Sequence, residues 1–394
     1  MEIRKNISIV EFDYHTEVLI NSLLVLRTLP FNISLFTSSN IWAEISKSDN
    51  WEDLIVYKVD SHRDVKKLIL DNIDVLNESQ FILFNTLASN FKLFSNFDFK
   101  AIVILRIHNA NAYFNARRSI NPKLSIFYIW KDMSYLIHRG ILKGEIVYRS
   151  RFVKNKVDYF LLPNKVVKEF VLNQKYTTPD KLLSSIPYIY QSERAARKSP
   201  ISVIRIVITG IIDKRRRNYQ EVLNAFKNIA PLLNIKVELC LLGKPAGLYG
   251  LGMIKKYKQL ETDFLRIRTF RKFIDQSIFN DIAEQADFFI IPTVRETRYK
   301  LYKELYGFSK ISGGVNDMII YKKPALIPSF YPIEDSLKSY IQSYKDENNL
   351  TEILISWIND REFQSHVMSS IIDEFRFDFV AKKTWNSLQH ILRD

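Results

Sequence analysis

Apolar segments of strand length alternate with segments of helical periodicity through most of this 394-residue chain. Such alternation predicts a parallel, doubly wound α/β sheet, because parallel strands need a crossover connection that a helix usually supplies. Helical patterns at Glu17–Leu29 and Arg63–Leu70 separate the early strands. In the first half, the predicted strands are Asn6–Phe12, Asn32–Thr37, Leu54–Val59, Phe81–Asn85, Ala101–Ile107 and Tyr159–Leu162.

The second half repeats this pattern, with glycines and cations at the strand ends. The strand Ile204–Gly210 ends on glycine, and three consecutive arginines at 215–217 follow it. A second strand, Ile235–Lys244, ends in Gly-Lys, and a third covers Ala286–Thr293. These residues therefore lie at the carboxyl ends of strands, the edge where open α/β sheets bind ligands.

A glycine pair precedes a short apolar helical run near position 315. Ser312, Gly313 and Gly314 lead into this run, and Asp317 falls one turn inside it. A helix N-terminus has uncovered N–H groups and a dipole that favour an anion. We therefore predict a phosphate site at the glycines, with Asp317 accepting hydrogen bonds from sugar hydroxyls. A turn that only relieves backbone strain is the competing interpretation.

These segments together resemble the donor domain of GT-B glycosyltransferases, and most closely the retaining, family 4-like group that uses UDP- or GDP-activated sugars. The resemblance covers roughly residues 202–330. It implies a GT-B fold of two facing Rossmann-like, doubly wound domains with an interdomain cleft. The first half of the chain matches only in architecture.

The sequence departs from the family pattern at four positions. Family members usually carry an arginine after the first glycine, where this chain has Ile211, and a lysine before the asparagine, where it has Arg217. The family's Glu-x7-Glu pair corresponds to Ser309 and Asp317, with Glu304 as a candidate substitute for the first glutamate. Retention and inversion of configuration therefore both stay open.

The resemblance implies a donor site in which Arg217, with Arg215 or Lys244, stabilises the departing diphosphate. The nucleotide sugar is then a co-substrate, and no cofactor or metal is required, because cations and helix dipoles neutralise the diphosphate. The six histidines show no metal-binding spacing. The predicted donor-binding residues are Gly210, Arg215, Arg217, Lys244, Phe273, Ile274, Ser312, Gly313, Gly314 and Asp317.

Two loops of the first half offer titratable side chains. Asp13 and His15 follow the first strand, and His108 follows the strand that ends at Ile107. Imidazole suits a general base near neutral pH, and the resemblance implies a histidine near His108 that touches the donor sugar. Asp13, His15 and His108 are therefore the predicted catalytic residues. A helix N-cap in the first loop and a structurally bonded histidine in the second are the alternatives.

Length and composition indicate two domains and a reducing compartment. The chain exceeds the roughly 250–300 residues at which one core stops growing. We expect an acceptor-side domain at 1–186 that includes a returning helix at 377–394, a donor domain at 201–376, and a linker between Pro187 and Pro200. Cys240, the single cysteine, is interpreted as a small buried hydrophobe. The sequence shows neither a signal-peptide pattern nor an apolar segment long enough to span a membrane, and we therefore expect a cytoplasmic protein.

Positive charge is in excess by 14 and is concentrated between Phe114 and Lys156, where ten basic residues oppose Asp132 and Glu145. The apolar run Ile126–Trp130 lies among them. This mixture is typical of a surface that binds the anionic inner face of a membrane. An ordinary core segment with solvated cations is the alternative. We expect no nucleic-acid partner, because the sequence lacks the motifs of nucleic-acid readers.

The sequence therefore predicts a glycosyltransferase that moves a sugar from a nucleotide diphosphate to a hydroxyl of a glycan or lipid-linked glycan in surface polysaccharide synthesis. A nucleotide-sugar epimerase on the same scaffold is one alternative. A non-catalytic protein that binds a glycan or another transferase is a second, kept open by the departures at Ile211 and Ser309.

Overall fold

The computed structural model describes residues 4–122, 126–189, 203–366 and 373–392. The chain divides into two compact units. The first comprises residues 1–187, 298–304 and 377–394, and the second comprises residues 188–297 and 305–376. The predicted linker, Pro187 to Pro200, lies outside the described residues from position 190 onward.

The strands follow the predicted apolar segments closely, within one to three residues at most ends. The prediction omitted β9, β13, the last strand β14, and a two-stranded hairpin of β11 with β12. The observed strands are β1 Lys5–Glu11, β2 Phe31–Ser38, β3 Leu54–Val59, β4 Phe81–Thr86, β5 Ile102–Arg106, β6 Tyr159–Leu161, β7 Val203–Thr209, β8 Lys236–Leu242, β9 Leu265–Thr269, β10 Phe288–Ile290, β11 Glu296–Tyr299, β12 Tyr302–Leu305, β13 Ala325–Pro328 and β14 Ile341–Tyr344.

Helices connect these strands, and several begin at a polar side chain that accepts a first-turn N–H. Asn164, Asn218 and Asp346 cap helices in this way. The helices are α1 Thr16–Leu26, α2 Ser39–Ile45, α3 Val65–Asp71, α4 Ile73–Glu78, α5 Phe91–Ser95, α6 Ala110–Phe114, α7 Ile126–Tyr135, α8 Glu145–Asn155, α9 Lys165–Asn173, α10 Tyr219–Ile229, α11 Gly247–Lys258, α12 Gln276–Glu284, α13 Gly313–Tyr321, α14 Glu347–Asn359 and α15 Phe377–His390.

The first unit is built on a parallel sheet of order β3-β2-β1-β4-β5-β6. β1 lies near the middle of this sheet, which explains why every residue from Ile7 to Glu11 is buried. The pairing of β1 with β4 shifts between Val10 and Glu11, so that Glu11 lies opposite Thr86. This bulge places Asn85 as an extra residue on β4, at the carboxyl end of the sheet.

The second unit contains a parallel sheet of order β14-β13-β10-β7-β8-β9. Alternate residues of its strands pack into two separate cores. Ile206 and Leu239 belong to one core with α10, α11 and α14, while Val207 and Cys240 belong to the other with α12 and α13. Burial raises the pKa of the Cys240 thiol to about 12, in agreement with its interpretation as a small buried hydrophobe.

Two distant segments complete the first unit. Helix α15 packs on its sheet, with the Trp385 ring 5.7 Å from that of Phe31. Residues 298–304, the tip of the β11–β12 hairpin, also belong to this unit. Among the described residues, none of the helices combines the length and apolarity needed to cross a membrane.

Candidate functional site

In the second unit, β7 and β8 end so close together that only glycines fit there. Gly210 has φ +86°, a left-handed conformation that favours glycine. A Cβ added at Gly243 would lie 2.0 Å from the carbonyl oxygen of Gly210. The N–H of Gly210 also donates to Leu242 at 2.8 Å, which holds the two strand ends together.

Arg217 folds back over this glycine turn. A Cβ added at Gly210 would lie 2.5 Å from the Arg217 Nη2, so the guanidinium packs directly on the glycine. Arg217 is buried, its Nη1 donates to the carbonyl of Ile211 at 3.4 Å, and its backbone forms a bridge with Thr293. A nearly fixed guanidinium therefore lies at the carboxyl end of β7, as a diphosphate clamp requires.

Arg215 has a different environment. Its Nε lies 2.9 and 3.0 Å from the two carboxylate oxygens of Asp213, and its Nη2 lies 2.6 Å from Oδ2. Burial acts to raise the pKa of Asp213, but hydrogen bonds from the Arg215 side chain and N–H outweigh it and lower that pKa. The charge of Arg215 is therefore largely neutralised, whereas Lys244 is exposed.

The start of α13 lies against the same strand end. A Cβ added at Gly314 would be 3.0 Å from the Ile291 side chain and 3.4 Å from the Thr209 hydroxyl. Gly313 has open space around it, and the N–H of Ser312 donates to the Tyr331 hydroxyl at 3.2 Å. The structure thus brings the predicted glycine pair to the β7 end that carries Gly210 and Arg217.

The remaining predicted donor residues lie in varied surroundings. Asp317 is half-buried one turn into α13. The Phe273 side chain is 81% exposed just before α12, while Ile274 packs against the second core. Thr293 was not predicted, although its buried hydroxyl has no hydrogen-bond partner among the described residues and its backbone bridges Arg217.

In the first unit, Asp13 connects the loop after β1 to the loop after β4. Its Oδ2 accepts the N–H of Ala88 at 2.8 Å, and its Oδ1 accepts the hydroxyl of Ser89 at 2.7 Å. Both carboxylate oxygens are therefore occupied. Because these loops follow neighbouring strands, the Asp13 carboxylate fixes the local shape of the sheet's carboxyl edge.

His15 and His108 come together at this edge. Their rings stack with centroids 4.3 Å apart. His15 has φ +76° at the N-cap of α1, but its side chain makes no capping hydrogen bond. The Nε2 of His108 lies 3.2 Å from the Thr86 hydroxyl and 3.1 Å from the carbonyl of Asn85. Two of the three predicted catalytic residues are thus direct neighbours.

Glu11 is a fully buried acid that shares a hydrogen-bond partner, Asn85, with His108. Its Oε2 accepts the Asn85 Nδ2–H at 2.8 Å, and its Oε1 accepts the N–H groups of Asp13 and Tyr14 at 3.0 and 3.2 Å. Burial raises the pKa of Glu11 to about 8; the hydrogen bonds oppose this rise, and the charge of Asp13 adds to it. The carboxyl group therefore holds a proton at neutral pH, close to the two histidines.

The tip of the β11–β12 hairpin adds a cationic and aromatic cluster to this unit. Lys300 donates to the carbonyl of Ala88 at 2.8 Å and lies 3.3 Å from Glu145. Arg149, fully buried, pairs with Glu145 and lies 4.7 Å from the Tyr302 ring centre. Burial lowers the pKa of Lys300 to about 8, although Glu145 acts to raise it. The hairpin tip therefore meets the loop that Asp13 also holds.

No family model and no curated protein sequence matches the chain. Solved structures do match it. HepE from Anabaena, in complex with UDP, has a TM-score of 0.60 at 10% identity, over 98% of this chain and 100% of HepE. The pneumococcal O-GlcNAc transferase GtfA, in complex with UDP and GlcNAc, has a TM-score of 0.61 at 10% identity, over 99% and 100%.

The chain has the GT-B fold. The predicted fold class is thereby confirmed, with its two parallel, Rossmann-like sheets. A putative UDP-N-acetylglucosamine 2-epimerase from Listeria monocytogenes matches as well, with a TM-score of 0.53 at 9% identity, over 99% of this chain and 96% of that one.

In this GT-B chain the residues at the family's Glu-x7-Glu positions have local structural contacts. The fully buried hydroxyl of Ser309 accepts the N–H of Leu305 at 2.7 Å and stabilises a turn. Glu304, the candidate substitute, is also fully buried, and its Oε1 accepts the N–H of Ala112 at 2.9 Å in the first turn of α6. Glu304 thus fixes the helix that follows His108.

Sequence reasoning missed Glu11, Asn85 and Lys300 in the first unit and Thr293 in the second. Glu11 ends a continuous apolar strand, and such an acid is buried only where the strand is central, which the sequence pattern does not fix. The hairpin residues gave no such signal. Within the described part of the chain, no cluster of three His, Cys, Asp or Glu side chains is arranged to hold a metal ion.

Proposed function

We propose that this chain is a glycosyltransferase that takes its sugar from a UDP-activated donor. The main support is the position of Arg217, whose guanidinium packs on Gly210 beside the glycine start of α13. A fixed guanidinium and uncovered helix N–H groups suit a diphosphate. HepE and GtfA, which share the fold, were both solved with UDP.

In the proposed reaction, the bond between the anomeric carbon and the β-phosphate oxygen breaks, and UDP leaves with the bonding electrons. An acceptor hydroxyl forms the new carbon–oxygen bond and gives its proton to the imidazole of His108 or His15. Arg217 and the N–H groups of Gly313 and Gly314 stabilise the charge that develops on the diphosphate. Lys244 supplies a second cation, while Arg215 holds Asp213.

We assign the contacts with the reacting sugar to His108 and His15, whose stacked rings lie at the carboxyl edge of the first sheet. Asp13 supports them as a positioning residue, because both of its oxygens already accept hydrogen bonds from the neighbouring loop. Asp317 contacts ribose or sugar hydroxyls, and the main chain at Phe273 and Ile274 meets the base. None of these roles depends on whether configuration is retained, as it is in the family 4-like group.

The proposed acceptor is a hydroxyl of a glycan or lipid-linked glycan in surface polysaccharide synthesis. This acceptor class follows from the resemblance to nucleotide-sugar transferases, and the proposed cytoplasmic location follows from the single, buried cysteine. Sugar transfer in this scheme requires no metal ion, because cationic side chains of the chain neutralise the charge of the leaving diphosphate.

Epimerisation of a nucleotide sugar is a second candidate function. It is favoured by the protonated Glu11 close to two histidines and by the match to a putative UDP-N-acetylglucosamine 2-epimerase. Both reactions need a donor site, but only transfer needs an acceptor. Incubation of UDP-sugars without acceptor separates them, because an epimerase converts the sugar and a transferase leaves it nearly unchanged.

Calorimetry with a panel of nucleoside diphosphates and their sugar conjugates tests the donor site. We expect the wild type to prefer UDP, and Arg217→Ala to bind it about 10- to 100-fold more weakly, as the loss of a charged hydrogen bond predicts. The matched control is Arg266→Ala, since Arg266 is an exposed arginine of the same unit. Equal UDP affinity in both variants would refute the site, and binding without turnover would favour a non-catalytic role.

A further inference from the structure

Helix α7 and the π-helical segment that continues it carry apolar side chains that are exposed to solvent. We define the apolar face as Trp130, Met133, Ile137, Ile141 and Leu142, all of which are exposed. Trp130 is 82% exposed and Leu142 is 73% exposed. The first four recur at spacings of three or four residues through α7 and a π-helical segment, Leu136–Leu142, and therefore lie along one side of the helix.

The two acids of this region are turned inward, whereas Ser134 and His138 are exposed. Asp132 is buried and accepts a hydrogen bond from Arg298 Nη2 at 2.6 Å. Glu145, at the start of α8, is buried against Arg149 and Lys300. A surface helix normally buries its apolar side and exposes its charges. The exposure of these five residues instead leaves large apolar side chains in water unless something covers them.

The surroundings of the apolar face are positively charged. Lys143, Arg151 and Lys154 are exposed, and Arg139 is half-exposed. Between residues 130 and 157 the only carboxylates in the sequence are Asp132 and Glu145, and both are buried and paired. The exposed side chains of this stretch therefore combine apolar groups with cations and present no acid.

We infer that the apolar face docks on the surface of a bilayer that contains anionic lipids. Apolar side chains flanked by Lys and Arg on a helix match an interfacial location, with the apolar groups in the acyl boundary and the cations at the headgroups. A protein partner with a matching patch would need its own acids for these cations, whereas an anionic leaflet supplies negative charge everywhere.

Vesicle flotation tests this docking on the full chain. We expect the wild type to float with vesicles of phosphatidylglycerol and phosphatidylcholine. With vesicles of phosphatidylcholine alone, it should remain in the bottom fraction of the gradient. The double variant Ile137→Ser/Ile141→Ser should reduce the partition coefficient about tenfold or more, because it removes apolar area from the contact. Leu248→Ser is the matched control, since Leu248 is 89% exposed in the second unit.

A variant with fewer cations measures the electrostatic contribution to vesicle binding. Lys143→Gln/Arg151→Gln should lower binding to the anionic vesicles about tenfold, and added salt should weaken wild-type binding in parallel. Failure of the wild type to float, equal binding to neutral vesicles, or binding that neither double variant changes would overturn the inference.

Sedimentation velocity tests the alternative that a second copy of this chain binds the apolar face. A wild-type oligomer that the apolar double variant converts to monomer, without vesicle binding, would assign the face to a second copy of this chain and overturn membrane docking. UDP calorimetry on the same variants keeps the two proposals separate, because their residues are not part of the donor site. UDP binding without flotation leaves the proposed function standing, and flotation without UDP binding leaves the docking standing.

Discussion

The imidazole rings of His15 and His108 stack with centroids 4.3 Å apart and planes 19° from parallel. They come from loops that follow β1 and β5, two strands of one sheet. The left-handed backbone of His15 turns its ring toward that of His108, whose Nε2 lies near Thr86 and the carbonyl of Asn85. The pair therefore offers a nitrogen-rich surface at the edge where α/β sheets bind ligands.

Replacement of His108 by Phe tests the proposed role of this pair. The phenyl ring keeps the stack on His15 but has no nitrogen to exchange a proton or bind a sugar hydroxyl. We expect a folded protein whose turnover with UDP-sugar and acceptor falls about 100-fold or more, with nearly unchanged UDP affinity. Turnover equal to that of the wild type would show that His108 is only a structural residue.

Gly243→Ala is expected to destabilise the second unit strongly. The new Cβ would lie 2.0 Å from the Gly210 carbonyl oxygen, a backbone atom that cannot move without separating the ends of β7 and β8. The expected cost is at least about 1–3 kcal/mol, measured as the free energy of unfolding in urea. Gly252→Ala is the control, because nothing lies within 4 Å of its added Cβ in helix α11, and it should stabilise the chain slightly.

Much of this architecture could be predicted, because central strands of parallel sheets are buried on both sides and appear in the sequence as continuous apolar runs. The predicted segments around Ile9, Ile206 and Leu239 therefore became strands. Gly210 and Gly314 were also identified, because a glycine at a strand end or helix start indicates a backbone that turns sharply or comes very close to its neighbours.

The hairpin and the protonated acid could not be predicted in the same way. The strands at 296–299 and 302–305 are short and polar, and contacts of their tip with residues nearly 200 positions away determine their place in the first unit. The burial of Glu11 depends on the position of β1 within its sheet, which local pattern does not fix. Trp130 was predicted to lie either in a core or on a membrane-binding surface, and its exposure excludes the core position.

The buried pair of Asp132 and Arg298 is expected to hold α7 against the hairpin tip. Arg298→Met should destabilise the chain by about 3–5 kcal/mol, because it leaves a buried carboxylate without its cation. The double variant Asp132→Leu/Arg298→Met should recover most of this loss. Urea unfolding of both single variants and the double variant measures the coupling, and additive effects would contradict a specific pair.

Glu11 is expected to make stability depend on pH. Below about pH 4.5 the carboxyl group is protonated in both the folded and the unfolded chain. Between that pH and about 8 it ionises only in the unfolded chain, because burial raises its folded-state pKa to about 8. The free energy of unfolding therefore falls as pH rises through this window and levels off above it.

Glu11→Gln removes this dependence, since an amide keeps the shape of the carboxyl group but does not ionise. With the Asn85 amide turned over, the Nε2 of the new glutamine can donate to its Oδ1, a buried atom with no hydrogen-bond partner among the described residues. We expect the variant to match the wild type near pH 5 and to exceed its stability by on the order of 4 kcal/mol near pH 8. Glu52→Gln, at an exposed position, should change neither value. A stability difference that stays constant from pH 5 to pH 8 would mean that Glu11 is ionised in the folded chain, and the proton beside His15 and His108 would have to come from another group.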